Sequence, residues 1–155
     1  ATTEIYTLSL HDALPISDVQ EGLTFSRDYD PSIPEIMGDR EQLIQAVLNI
    51  VRNGVQAMDG RGEIGLLTRI RRQFTLGNRR HRHVLEARIS DSGPGIPADI
   101  RENVFFPMVS GRSGGAGLGL SIAQDIVSRH GGAIECMSQP GDTRFSLYLP
   151  VEEPS

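Results

Sequence analysis

A chain of 155 residues is one domain's length, enough for a single sizeable core. Its net charge of −5 disfavours nucleic acid as a partner, because binding phosphates needs a basic field, and no apolar run reaches the ~18 residues that cross a bilayer. All 15 basic residues are arginine, which excludes a Walker P-loop with its lysine, and the one cysteine, Cys136, excludes an internal disulfide and reads as a small core residue in a reduced compartment.

Residues 1–16 fit poorly with the rest of the chain. They read as a non-native leader, either translated sequencing-adapter read-through or a disordered tail. Residues 17–150 read as one domain and 151–155 as a tail.

Leu23–Tyr29 reads as a short strand, followed by a turn at Pro31 and Pro34. Asp39 then caps a helix, with Gln42 at the reciprocal capping-box position. Leu43, Val47, Ile50, Val51 and Met58 give that helix an apolar face, with Gln42, Gln45, Asn49, Asn53 and Gln56 in a polar stripe beside it. Asp59-Gly60 stops it. Strands are expected at about 63–74 and 82–91, joined by a loop at 76–80. In the second, Leu85, Ala87 and Ile89 alternate with Glu86 and Arg88, the pattern of a half-buried strand. A short helix from Pro97 to Asn103 follows, then an apolar cluster of Val104, Phe105, Phe106 and Met108, then a Gly/Ser/Arg loop over 110–117. A second long helix runs from Leu118 to His130 and ends at Gly131-Gly132. Ala133–Ser138 and Thr143–Leu149 are the last strands. This order implies an α/β fold: a two-layer sandwich with one mixed sheet covered by helices on one face.

Several groups have chemistry available to them. Asn49 and Asn53 lie one helical turn apart, so their amides share a face. An amide oxygen is a hard neutral ligand suited to Mg²⁺, although two solvated asparagines on a polar face would look the same. Asp91 ends a strand at Gly93-Pro94-Gly95. Its carboxylate can accept a hydrogen bond from a ligand or close a plain Asx turn. Glycines at 93 and 95 allow close backbone approach. Gly115, Gly117, Leu118 and Gly119 lead into a helix whose unpaired N–H groups suit a polyphosphate. Arg112 before them is either a phosphate clamp or a solvated loop charge.

In order, Asn49-Ile-Val-Arg-Asn53, Asp91-Ser-Gly-Pro-Gly95, Gly115-Ala-Gly-Leu-Gly119 and Gly141-Asp-Thr143 resemble the N box and the glycine boxes of the histidine-kinase branch of the GHKL ATP-binding superfamily. Phe105-Phe-Pro-Met108 falls where that family has its F box. The resemblance covers about residues 23–150 and implies the Bergerat-type sandwich with ATP and Mg²⁺ as cofactors. It implies Mg²⁺ at Asn53, phosphates by Asn49, the adenine amino group at Asp91 and adenine also near Thr143. Gly54 stands where the family usually has alanine, at a helix cost under ~1 kcal/mol.

The resemblance implies a protein-histidine kinase domain that donates a γ-phosphate to a histidine on a separate dimerisation domain. The alternatives are a GHKL-type ATPase or a non-catalytic nucleotide-binding module. Asn49 separates the first two: the ATPases carry a glutamate general base there, and an amide cannot take up a proton at neutral pH. His11-Asp12-Ala13-Leu14-Pro15 does not qualify as a phosphoacceptor box, because its proline comes one residue early and the long helix is missing. His81, His83 and His130 read as loop or helix-end residues. The run from Phe106 to Ala123 and the segment from Arg27 to Pro34 are similar to the nitrogen-regulation sensor kinases of the NtrB type. That implies a cytoplasmic protein with a response regulator and a PII signal protein as partners, and neither a nucleic-acid partner nor a membrane contact for this segment.

Overall fold

The computed structural model describes residues 4–5, 22–33, 36–96 and 116–151. In chain order the elements are β1 (Glu4–Ile5), β2 (Leu23–Asp28), β3 (Ile36–Met37), α1 (Arg40–Ala57), β4 (Gly62–Leu76), β5 (Arg79–Asp91), α2 (Ala116–Arg129), β6 (Ala133–Gln139) and β7 (Asp142–Pro150). Five strands form one sheet in the order β2-β4-β5-β7-β6. The β2–β4 pair is parallel and the others are antiparallel, so the sheet is mixed as expected. β1 and β3 make a separate two-residue antiparallel ladder, Glu4 opposite Met37 and Ile5 opposite Ile36.

The core lies between this sheet and the two helices. Leu43, Ala46, Val47, Ile50 and Val51 from α1 and Leu120, Ala123, Ile126 and Val127 from α2 meet Ile64, Leu66, Leu85, Ile89, Phe145, Leu147 and Leu149 from the strands. Burying each large aliphatic side chain contributes about 1.5–3 kcal/mol, so this seam is the main source of stability. Among the described residues no helix is long and apolar enough to cross a membrane.

The helix ends follow the sequence signals, with one substitution of partner. Asp39 caps α1 by accepting from the Gln42 amide at 3.2 Å. The other half of the expected capping box is absent, because the Asp39 N–H donates instead to His130 Nε2 at 2.9 Å. The His130 Nδ1 lies 2.7 Å from the Ile126 carbonyl, which fixes that nitrogen as the protonated one. A histidine just past α2 therefore ties that helix to the start of α1. At the other end of α1, the Asp59 amide donates to Gln56 O and the Gly60 amide to Val55 O. This Schellman arrangement needs a left-handed residue, and Asp59 supplies it at φ 54°. α2 begins at Ala116, so Ala116 and Gly117 are helical rather than part of the loop expected over 110–117.

The hairpin β4–β5 is longer and its turn tighter than the sequence implies, with only Gly77 and Asn78 between the strands. Strict alternation would keep Phe74 and Leu76 on the helix side with Ile64 and Leu66. Gln73 adopts φ 52°, and past it Phe74 and Leu76 pack with Val84 and Tyr148, away from the main core. The Phe74 and Tyr148 rings stack at 4.5 Å between centroids. Glu86, expected on an exposed face, is instead 0% exposed. Arg71 and Arg88 pair with its two oxygens at 2.5 and 3.1 Å, and the Ser146 hydroxyl donates to it at 2.9 Å. Val151 is buried, and its amide donates to the His83 carbonyl at 3.3 Å.

Candidate functional site

The register of the sheet lines up one row of side chains across three strands. Asp91 at the end of β5 is opposite Thr143 of β7, and Thr143 is opposite Ser138 of β6. Directly opposed residues share a face with Cβ atoms about 4.5–5.5 Å apart. This row is polar at one end, whereas its continuation onto β4 is Ile64, paired with Asp91. Asp91 and Thr143 are buried, at 7% and 3% exposure, so their polar atoms need partners.

The glycine turn after Asp91 is clamped onto this row. The Gly93 amide donates to Asp91 Oδ1 at 2.9 Å, so the Asx bond of a plain turn is present and orients the carboxylate. The Gly93 carbonyl accepts from the Gly141 amide at 2.8 Å. Gly141 has φ 85° and follows Pro140 in the two-residue turn between β6 and β7, the placement that a type II turn requires. Gly95 has φ 91°, and a Cβ there would sit 3.0 Å from the Gln139 carbonyl carbon. Only glycine fits between the two turns at that point. The Ile96 amide donates to Ser138 Oγ at 2.7 Å, and Ser138 Oγ lies 2.8 Å from Thr143 Oγ1.

α1 closes the other side. A Cβ added at Gly54 would lie 3.2 Å from Asp91 Cβ, from Asp91 Oδ2 and from Ile64 Cδ1. The helix that carries Asn49 and Asn53 therefore touches the strand end that carries Asp91. Both asparagines are half-buried. Gly117, Leu118 and Gly119 lie in the opening turns of α2, the helix that packs along α1. Arg112 and Gly115, the apolar cluster at 104–108 and the short helix expected at 97–103 lie outside the described residues.

The structure thus brings together Asp91, Gly93, Gly95 and Thr143, with the asparagine helix against them. Sequence reasoning missed Ser138, whose place in the row follows from the hairpin register set by the Pro140-Gly141 turn. It also read Gly54 only as a helix penalty, whereas a Cβ there would meet Asp91 at 3.2 Å, a measure of how closely α1 approaches that strand end. A cavity of about 300 Å³ along the β6–β7 edge is lined by Cys136, Met137, Ser138, Gln139, Asp142 and Arg144. Among the described residues no group of three or more His, Cys, Asp or Glu is placed to hold a metal ion. The donor set fits a hard cation only through an asparagine oxygen completed by phosphate oxygens and water, the way Mg²⁺ is commonly bound.

Comparison with known proteins identifies relatives of the chain and of its fold. The model of the histidine kinase-, DNA gyrase B- and HSP90-like ATPase family matches residues 38–153. The sensory histidine kinase/phosphatase NtrB of Salmonella typhimurium is 48% identical over 142 residues, which are 91% of this chain and 41% of that protein. The chain spans about two fifths of the length of the curated relatives it matches. Among solved structures, the mycobacterial sensor histidine kinase MprB superimposes with a TM-score of 0.73 at 27% identity, covering 97% of this chain and 96% of that one. The catalytic domain of histidine kinase ThkA has the same fold, with a TM-score of 0.79 at 23% identity over 97% and 95% of the two chains.

Proposed function

The chain belongs to the histidine kinase-, DNA gyrase B- and HSP90-like ATPase family, and from that premise we propose that it binds ATP·Mg²⁺ and serves as the catalytic domain of a sensor histidine kinase. The observation that carries the reading is the approach of the asparagine-bearing helix to Asp91, through Gly54, at the end of a buried polar row. Bound ATP·Mg²⁺ would supply the transferable γ-phosphoryl group. Asp91 would accept from the exocyclic amino group of adenine, its carboxylate aimed by the Gly93 amide. Thr143 would contact the same base, and the glycines at 93 and 95 would let backbone lie close to the ring. Asn53 would give Mg²⁺ an amide oxygen, with Asn49 one turn earlier beside the phosphates. The opening turns of α2, at Gly117, Leu118 and Gly119, would offer backbone N–H groups to the phosphates, with Gly115 and Arg112 ahead of them.

The domain's own contribution to transfer would be positioning and charge stabilisation, while an imidazole nitrogen on a separate dimerisation domain attacks in line. Asn49 cannot act as a general base toward water, so hydrolysis would be slow without that acceptor. The likeness to NtrB supports a parent protein in nitrogen regulation, acting in the cytoplasm on a response regulator, with a PII signal protein as a further partner.

A titration with a slowly hydrolysed ATP analogue, with and without Mg²⁺, tests the site on wild type, Asn53→Ala and Asp91→Ala. Wild type should bind in a Mg²⁺-dependent way. Asn53→Ala should lose the Mg²⁺ dependence, and Asp91→Ala should bind at least about tenfold more weakly, the size of one lost charge-assisted hydrogen bond. Wild-type binding by either variant removes that residue from the site. Label appearing on an added histidine-bearing dimerisation domain tests the transfer itself, and its absence despite tight binding would favour a mere nucleotide binder.

A further inference from the structure

We infer that Ser138 is a specificity-determining positioning residue, which holds the Thr143 hydroxyl as a hydrogen-bond donor toward the base and so favours adenine over guanine. The inference rests on the reading of Asp91 and Thr143 as the base-contacting pair and extends it to a residue that touches neither base nor phosphate.

A serine hydroxyl has one proton to give and two lone pairs to accept with. Ser138 Oγ has two polar neighbours among the described residues, the Ile96 amide at 2.7 Å and Thr143 Oγ1 at 2.8 Å. The Ile96 N–H can only donate, so it takes a lone pair of Ser138. Either hydroxyl can donate across the 2.8 Å contact, and we take Ser138 as the donor to Thr143 Oγ1, the arrangement that uses the serine proton as well as the lone pair given to Ile96. With Ser138 donating, the proton of Thr143 is available to a base held at Asp91, the residue opposite it in the row. Thr143 is 3% exposed, so few waters compete for its hydroxyl, whereas Ser138 is half-buried and lines the β6–β7 cavity.

The consequence is a favoured pattern of one acceptor, Asp91, beside one donor, Thr143. Adenine presents the complement: a donor at its exocyclic amino group and an acceptor at N1. Guanine presents the opposite at both positions, an acceptor at O6 and a donor at N1. Without the Ser138 hydroxyl, Thr143 would rotate freely and accept from the guanine N1–H. A site that hydrogen-bonds its ligand discriminates most strongly when its polar groups cannot reorient to suit a competitor.

The test measures dissociation constants for Mg²⁺ complexes of the imido analogues of ATP and GTP. The proteins are wild type, Ser138→Ala, Ser138→Thr, Thr143→Val, the double variant of Ser138→Ala with Thr143→Val, and Asp91→Asn. Ser138→Ala should lower the ATP/GTP preference by about tenfold, the scale of one misdirected hydrogen bond, and Ser138→Thr should restore it. In the Thr143→Val background, adding Ser138→Ala should change the preference no further, because the two residues act through one hydroxyl. If Ser138→Ala weakens both analogues equally while Asp91→Asn weakens the ATP analogue, Ser138 is only a clamp on the glycine turn and this inference falls alone. If wild type does not bind the ATP analogue, or Asp91→Asn binds it like wild type, the reading of the site falls and takes this inference with it.

Discussion

Two carboxylates are buried in this sheet, on opposite faces and in opposite circumstances. Glu86 lies in the middle of β5, on the side away from the helices, with two guanidinium groups and the Ser146 hydroxyl closing around it. Asp91 lies on the helix side, five positions on, where β5 gives way to a glycine turn and one oxygen is set by the Gly93 amide. Mid-strand, a carboxylate is surrounded by side chains from both neighbouring strands, and its hydrogen-bonding capacity goes into holding strands together. At a strand end the ladder opens, and the same chemical group is oriented by backbone, here the Gly93 amide. One holds the fold, and we assign recognition to the other.

The largest expected effect separates these roles. Glu86→Gln removes the charge that pairs with Arg71 and Arg88. Breaking a fully buried pair costs about 3–5 kcal/mol. The two arginine side chains keep 43% and 27% exposure, so solvent recovers part of the loss and about 2 kcal/mol is expected in urea unfolding. Nucleotide affinity of the folded variant should stay within about twofold of wild type, since the change is on the far face of the sheet. Asp91→Ala should do the reverse. A Glu86→Gln protein that kept full stability would dissolve the contrast.

The pH dependence sharpens it. Burial pushes the Glu86 carboxyl up, but hydrogen bonds from Ser146 and Arg71 and the charges of Arg88 and Arg71 outweigh burial and hold it below the usual glutamate range. A group depressed in the folded state binds its proton more readily when unfolded. Its stabilisation is therefore complete above the unfolded value of about 4.3 and is lost as pH falls from there through the folded value. Wild-type stability should decline across that acidic window, and Glu86→Gln should decline less. Parallel slopes for the two proteins would mean that other carboxylates account for the acid sensitivity.

How much of this was legible in the sequence depended on distance along the chain. The limits of α1 followed from local signals, an aspartate cap and an Asp59-Gly60 stop, and the alternation of β5 gave its core face. Alternation says which side a residue is on, however, and not what covers that side. Glu86 reads as exposed because Arg71, fifteen positions earlier, and Ser146, sixty positions later, arrive only through the sheet. The capping box at Asp39 failed for the same reason, since His130, its replacement partner, is 91 positions away. Ser138 is intermediate. Its pairing with Thr143 is set by a two-residue turn whose proline and glycine are plain in the sequence, but its tie to Ile96 depends on where the glycine turn folds back. The Gly93-Pro94-Gly95 turn was the most legible part, because close approach leaves no alternative to glycine at Gly95.

The smallest expected effect is at Gly54, and it tests how tightly Asp91 is held. Alanine in a helix interior is favoured over glycine by about 0.8–1.0 kcal/mol. Against that gain, the new methyl would stand 3.2 Å from Asp91 Cβ and Oδ2 and from Ile64 Cδ1, inside the ~3.5–4.0 Å of an optimal carbon contact. A strand end can yield by a few tenths of an ångström, so the two terms should nearly cancel and leave unfolding free energy within about 0.5 kcal/mol of wild type. Nucleotide affinity should change by less than about threefold, because the Gly93 amide moves with the carboxylate it aims. A loss beyond tenfold would mean that Asp91 is fixed as rigidly as Glu86, and that position at the strand end confers none of the tolerance claimed for it.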